Sequence, residues 1–291
     1  MTFWMLVIGL IALRYQVSNN VYMLMPEDLV LFNEKPEPIS EETLWEDNPI
    51  DTVDIPNCTE IRKIMFWRNP SGQKEMIKYY ICAEDVLTSM KVRSSGKFLD
   101  DLYSDMYLHD KHFLGSLISA YKDKIQEDNL NSLDGARLVV RSVQSIPYTL
   151  VHCHTHSEAE EGLPHRVKYH NRARAKYGKY IDRIGGCLES IDDGGVVSPL
   201  EFASHHMGDC DSRTVFLYTI LKELGYDVVV LGSYIERHSI LGINIGLDRP
   251  RDDFFLLNGT KKFYVWETTS LGFDLGMYPD WDQEKWTIDL N

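Results

Sequence analysis

"HHMGDCDSRTVFLYTILKELGYDVVVL", residues 205–231, runs from a charged turn through a helical stretch into an apolar strand. Phe216, Ile220 and Leu224 recur every four residues, the spacing of one helix face, and Gly225 stands where a helix commonly ends in a left-handed residue. "DVVVLGS" (227–233) then reads as a strand, as do "SILGINI" (239–245), "DFFLL" (253–257) and "KFYVWET" (262–268). Asn258-Gly259 joins the last two, and this dipeptide is the strongest short hairpin signal, because both central residues of its turn need positive φ. One helix followed by antiparallel strands predicts an α+β architecture.

Cys210 sits at the start of that helix, between Asp209 and Asp211 and after Gly208. The thiolate is the reactive form of cysteine, and an ordinary thiol has a pKa of about 8.5. The unpaired N–H groups and dipole of a helix start lower that value, whereas neighbouring carboxylates raise it. A working thiol here therefore needs a cationic partner, which a histidine supplies when a third group orients it. His238 falls at the mouth of the next strand, and Glu267 at the far end of its hairpin partner. Those ends are neighbours in an antiparallel sheet, so the order Cys, His, acid forms a workable nucleophilic set. Spacing alone also fits a small residue at a helix start, a strand cap and a surface carboxylate.

Four stretches, "VVRSVQSIPY" (139–148), "SPLEFASHHMGDCDSRTVFLYTILKELGYDVVVL" (198–231), "RHSILGI" (237–243) and "FYVWETTSLGFDLG" (263–276), resemble the transglutaminase-like superfamily. The resemblance is densest in the Gly-Asp-Cys-Asp core, the Pro-x-Glu-Phe lead-in and the Leu-Gly-Tyr helix end. It implies a papain-like core over 98–291, with the nucleophile helix packed on an antiparallel sheet. It further implies that Cys210 is the nucleophile, His238 the base and Glu267 the orienting acid. Gln144 is a candidate donor near the oxyanion, and reads equally well as an exposed helix residue. The chain departs from the family in two places: the acid is more often Asp, and Ser-Ile follows His238 where a small-aromatic pair is often seen.

The implied activity is cofactor-free, thiol-dependent attack on an amide bond of a protein or peptide. Water resolves the acyl-enzyme in a peptidase or amidase, the favoured outcome, and an amine resolves it in a crosslinking enzyme. The alternative is an inactive domain of the same fold that serves as a binding scaffold.

The rest of the chain narrows the setting. Its 291 residues suffice for a large core, and the net charge of -14 argues against general nucleic-acid binding, which needs clustered Lys and Arg. "TFWMLVIGLIAL" (2–13) is too short to span a bilayer, for which about 20 apolar residues are needed. It fits an atypical export signal or membrane anchor in the cell envelope, the favoured reading, or a buried element or misassigned start. Residues 1–25 thus form an apolar segment, and 26–97 an acidic arm with a small N-terminal region. Within that region, "KIMFWRN" and "EMIKYYICAEDVL" flank the turn "PSGQ" as two strands, or a strand and a helix.

Five cysteines are too few and too odd in number for a disulfide framework, and the four besides Cys210 either pair or stay reduced. Phe113, Leu114, Leu117, Ile118 and Tyr121 form one helical stripe, and a second helix is expected from Ser132 to before Pro147. Residues 149–195 read as an insertion. Alternating His152, His154 and His156 there are the candidates for a metal site, against a solvated loop without HExxH. The basic run "HRVKYHNRARAKYGKYIDR" (165–183) reads as a charged surface answering the acidic arm, or as a flap beside the nucleophile helix.

Overall fold

The computed structural model describes residues 58–95, 99–153, 187–191, 195–246, 249, 252–269, 271–278 and 281–291. The compact unit that contains them spans Asp54–Asn291. The apolar segment 2–13, the acidic arm, His154, His156 and the basic run lie outside the described residues, as does the side chain of His152.

The described chain begins with a hairpin of β1 (Glu60–Arg68) and β2 (Lys74–Cys82). Asn69 makes its turn, accepting the Ser71 and Gln73 N–H groups on its side-chain oxygen, while Gly72 takes φ +82°. A Cys58–Cys82 disulfide closes the open end, and the Thr59 hydroxyl and N–H both donate to the Glu84 carboxylate. Met65, Trp67, Ile77, Tyr79 and Ile81 face inward and join the same core as Leu117, Tyr121 and Phe216. Hairpin and later elements bury their apolar faces against one another.

Helices α1 (Ala83–Arg93), α2 (Leu99–Asp110), α3 (Gly115–Glu127) and α4 (Ser132–Gln144) follow. The expected stripe on α3 is buried at Leu114, Leu117, Ile118 and Tyr121, with Phe113 half-buried just ahead of the helix. Asn131 caps α4 by accepting the Asp134 N–H. In the inserted stretch, β3 (Leu150–Cys153) and β4 (Cys187–Ile191) pair in parallel.

A short helix, α5 (Pro199–His205), delivers the chain to Cys210. Ser198 and Glu201 form a capping box around Pro199, which pre-sets the first helical φ. Buried polar groups then fix this start in place. Asp110 accepts the Leu200 N–H at 2.9 Å and the Ser89 hydroxyl at 2.7 Å, while Arg93 pairs with Glu201 at 2.8 Å. His206 ends α5 in the left-handed region at φ +54°, with its Nε2 2.6 Å from the Tyr79 hydroxyl.

Helix α6 (Cys210–Glu223) differs from the amphipathic expectation. Its residues from Ser212 to Leu221 are all buried, because the sheet covers one side and α2, α4 and α5 the others. Its polar residues survive there by bonding: Ser212 receives the Val197 N–H, and Thr214 and Thr219 donate to the carbonyls of Ser239 and Val215.

The sheet is five-stranded and antiparallel, in the order β7 (Phe254–Leu257), β8 (Lys261–Trp266), β6 (His238–Asn244), β5 (Asp227–Ser233), β9 (Thr287–Leu290). Val228, Val230, Leu241, Ile243, Tyr264 and Trp266 face the main core under α6. Val229, Leu231, Ile240, Phe263 and Val265 face the other way, under Trp286, Tyr278 and Trp281. Both faces are covered, so β5 and β6 carry continuous apolar runs instead of alternating ones. Asn258 and Gly259 have φ +51° and +70°, as the β7–β8 turn requires.

The fold is thus α+β, with a helix set against a curled antiparallel sheet.

Candidate active site

Cys210 is the first residue of α6, and Asp209 caps the helix by accepting from the Ser212 N–H and hydroxyl. Gly208 is needed for close approach, not for its backbone angles. A β-carbon there would lie 2.7 Å from the Ser212 β-carbon and 2.9 Å from the Phe202 ring. Helices α5 and α6 can meet across this turn only without it.

His238 opens β6, and Glu267 is the first residue beyond β8. The register pairs Leu241 with Trp266, and extending it sets Ile240 opposite Glu267 and His238 opposite Thr269. His238 and Glu267 thus lie diagonally on one face, within reach for long side chains. Their contact is close, with His238 Nε2 2.7 Å from Glu267 Oε2. Cys210 lies near enough to His238 for each to shift the other's titration, the thiolate charge raising the imidazole's pKa and the imidazolium lowering the thiol's. Cys210, His238 and Glu267 are therefore brought together.

Glu267 is only 6% exposed, yet its carboxylate is saturated. Oε1 accepts the Thr269 N–H at 2.8 Å and the Thr269 hydroxyl at 2.7 Å. Burial alone would raise its pKa, but the His238 charge and these hydrogen bonds hold it at about 2. Burial in turn opposes the imidazolium of His238, and the negative charges of Glu267 and Cys210 outweigh that and raise its pKa well above the ordinary value. The Cys210 thiol is pushed up by burial and then by Asp211, while the charge and hydrogen bond of His238 pull it back. The site therefore holds a strongly basic imidazole, backed by an ionised carboxylate, beside a thiol whose ionisation the imidazolium favours.

A second layer supports these three. Asp211 accepts a hydrogen bond from the Ser239 hydroxyl, which ties the helix start to β6. Thr214 bonds the Ser239 carbonyl and the Thr268 hydroxyl, joining α6 to both strands that carry His238 and Glu267. Burial beside Asp211 raises the Asp209 pKa to about 7. Arg213 is fully buried and donates to four carbonyls: Gly208 at 3.1 Å, Val143 at 3.0 Å, and Ile146 and Pro147 at 2.7 Å each. Tyr278 and Trp286 lie 6.3 and 6.4 Å from the His238 ring and wall off its outer side.

Gln144 is placed at the end of α4. Its side-chain amide donates to the carbonyls of Glu267 at 2.7 Å and Phe273 at 3.1 Å, so both N–H bonds are spent. It is buried rather than exposed, and it anchors the backbone that carries Glu267. Sequence reading passed over Arg213, Thr214, Thr269 and Tyr148. Arg213 did carry a signal, being a cation inside an otherwise apolar helical run.

Among the described residues, no group of three or more His, Cys, Asp and Glu side chains is placed to hold a metal ion. No described helix is long and apolar enough to cross a membrane. Compared with known family models, curated proteins and solved structures, the chain matches none.

Proposed function

We propose that the chain is a thiol-dependent enzyme of transglutaminase-like type, built on a papain-like core, that cleaves or exchanges amide bonds in protein or peptide substrates. The observation that carries this reading is the His238–Glu267 pair at 2.7 Å, its carboxylate also bonded by Thr269, beside Cys210 at the start of α6, whose charge and that of His238 shift one another's titration. His238 takes the Cys210 proton, and the sulfur attacks the amide carbon to give a tetrahedral oxyanion. Collapse breaks the C–N bond as the imidazolium protonates the leaving amine, which leaves a thioester. Water completes a hydrolysis; a second amine completes a transfer.

The buried thiol, only 7% exposed and raised by Asp211, favours a second reading, an inactive binding domain that keeps the fold. Incubation with fluorogenic peptide amides, with and without an amine acceptor, separates the two. Turnover lost in Cys210→Ala supports the enzyme. A folded protein that neither turns over an amide nor is acylated at Cys210 by an activated ester supports the scaffold.

The Cys58–Cys82 disulfide also bears on location, since disulfides persist in oxidising compartments. It supports export or display in the cell envelope, with the apolar segment 2–13 as signal or anchor. A retained disulfide in protein isolated from its natural host under thiol-blocking conditions tests this, and a reduced pair contradicts it.

A further inference from the structure

We propose that Arg237, the residue before His238, selects substrates that carry a carboxylate on the amine side of the amide that Cys210 attacks. The proposal rests on the cysteine-enzyme reading above and deepens it by naming a substrate class.

The chemistry sets the place. A group that protonates a leaving amine comes within hydrogen-bond reach of its nitrogen, about 2.6–3.2 Å. On the reading above that group is His238, so whatever the nitrogen carries runs past the surroundings of His238. Those surroundings are the aromatic wall of Tyr278 and Trp286 and the turn of residues 234–237, which joins β5 to β6 and is closed by the pairing of Ser233 with His238.

Arg237 is exposed in that turn and pairs with no carboxylate among the described residues. Acidic side chains outnumber basic ones 44 to 30 in this chain, yet this guanidinium has taken none. The carboxylate beside it in sequence, Glu236, is held by Lys285 instead, at 2.8 Å. The backbone at Arg237 is also uncommon. It stands at φ +50°, in the left-handed region that Gly or Asn occupies at least cost. The turn by itself would therefore favour a residue without a guanidinium.

The turn is pinned as well as open. Besides the Lys285–Glu236 pair, the Glu236 N–H donates to the Ser233 hydroxyl at 3.1 Å. Tyr234 and Ile235 stand 93% and 70% exposed on it, so the surface that bears Arg237 is uncovered. A guanidinium is planar, always charged, and matches a carboxylate with two parallel N–H donors. That carboxylate has two possible sources: the end of a peptide whose last residue is the leaving amine, or an Asp or Glu side chain at that position.

A pool of short peptides of mixed sequence, made both with a free C terminus and as the carboxamide, tests the assignment in wild type, Arg237→Gln and Arg237→Gly. Products read by mass give relative kcat/KM by internal competition. Wild type is expected to favour a carboxylate on the amine side by roughly tenfold or more, the worth of one charge-assisted hydrogen bond. Preference for the acid over the carboxamide at the final bond marks the terminal carboxylate. Enrichment of Asp or Glu after the cleaved bond in both pools marks the side chain. Both variants are expected to lose the preference. Arg237→Gly is expected to retain the wild-type Tm, because glycine takes φ +50° freely, so its loss does not reflect a damaged fold. Indifference of wild type to both carboxylates overturns the proposal, and so does a preference that persists in the two variants. Acylation of Cys210 by p-nitrophenyl acetate in a protein that cleaves neither pool overturns the carboxylate role alone. Absence of both cleavage and acylation overturns the cysteine-enzyme reading itself, and this proposal with it.

Discussion

The side-chain amide of Gln144, at the end of α4, holds the backbone carbonyl of Glu267 at 2.7 Å, across 123 residues of sequence. The same amide holds the Phe273 carbonyl, and the Trp266 indole N–H donates to that carbonyl at 3.2 Å. One glutamine thereby ties together the backbone of Glu267, the partner of His238, and the segment at Phe273.

Gln144→Leu removes the Glu267 carbonyl's side-chain donor, worth about 1–3 kcal/mol when such a group is left unbonded, and leaves the Phe273 carbonyl to the Trp266 indole alone. The expected result is a clear fall in Tm together with slower acylation of Cys210, because Glu267 loses its backbone anchor. Chemical denaturation and the p-nitrophenyl acetate reaction measure the two effects. Unchanged acylation in a destabilised variant would reduce Gln144 to a structural role.

Glu267→Gln keeps a hydrogen-bonding group beside His238 but removes the charge that stabilises the imidazolium. The His238 pKa is expected to fall, visible in its ring proton resonances. Acylation is expected to drop by roughly 10²–10⁴-fold, as when a triad acid is neutralised. The carboxylate also bears on stability. Its folded pKa of about 2 lies below the ordinary 4.5, so it contributes stability above pH 4.5 that is lost as pH falls toward 2. Wild type and Glu267→Gln should therefore converge in Tm at the acid end.

Asp209 works in the opposite sense. Its folded pKa of about 7 lies above the ordinary 3.8, so its protonated form favours the fold and stability is lost as pH rises from about 4 through 7. Asparagine retains the oxygen that caps α6 and carries no charge. Asp209→Asn is expected to match wild type in Tm near pH 4 and to exceed it at pH 8. A constant difference across that range would contradict the raised pKa.

Arg213 joins α4, the 146–148 segment and the turn at Gly208 that leads into α6 through its four carbonyl bonds. Arg213→Met leaves those acceptors without their cation and is expected to cost about 3–5 kcal/mol, in line with other broken buried charge networks. Arg213→Lys is expected to recover little, because an ammonium has three donors and no planar fork to span the carbonyls. Urea unfolding of both variants checks the order.

The elements that organise the site were legible because each carries a local cause. Helix α6 shows its four-residue spacing and its Gly225 end at φ +89°, and the β7–β8 turn shows Asn258-Gly259. The juxtaposition of His238 with Glu267 follows from antiparallel pairing of two recognisable strands. What escaped the sequence depends on distant partners. Four-residue β9 alternates polar and apolar residues but is too short for that to mark a strand by itself, and it pairs along the edge that β5 offers. Seven-residue α5 is too short for periodicity and is held by Asp110 and Arg93 from other helices. The inward aim of Arg213 and the spent amide of Gln144 are set by packing around α6, which spacing cannot encode.

The pH dependence of iodoacetamide alkylation at Cys210, read by peptide mass in wild type and His238→Ala, tests the thiol–imidazole pair most directly. His238 is the group whose charge and hydrogen bond pull the thiol pKa down against burial and Asp211. Its removal is predicted to move the whole profile to higher pH and to slow labelling near neutrality by at least about tenfold, one pKa unit's worth of thiolate. Superimposable profiles in the two proteins would mean that Cys210 and His238 do not act as a pair, and would contradict the enzyme reading.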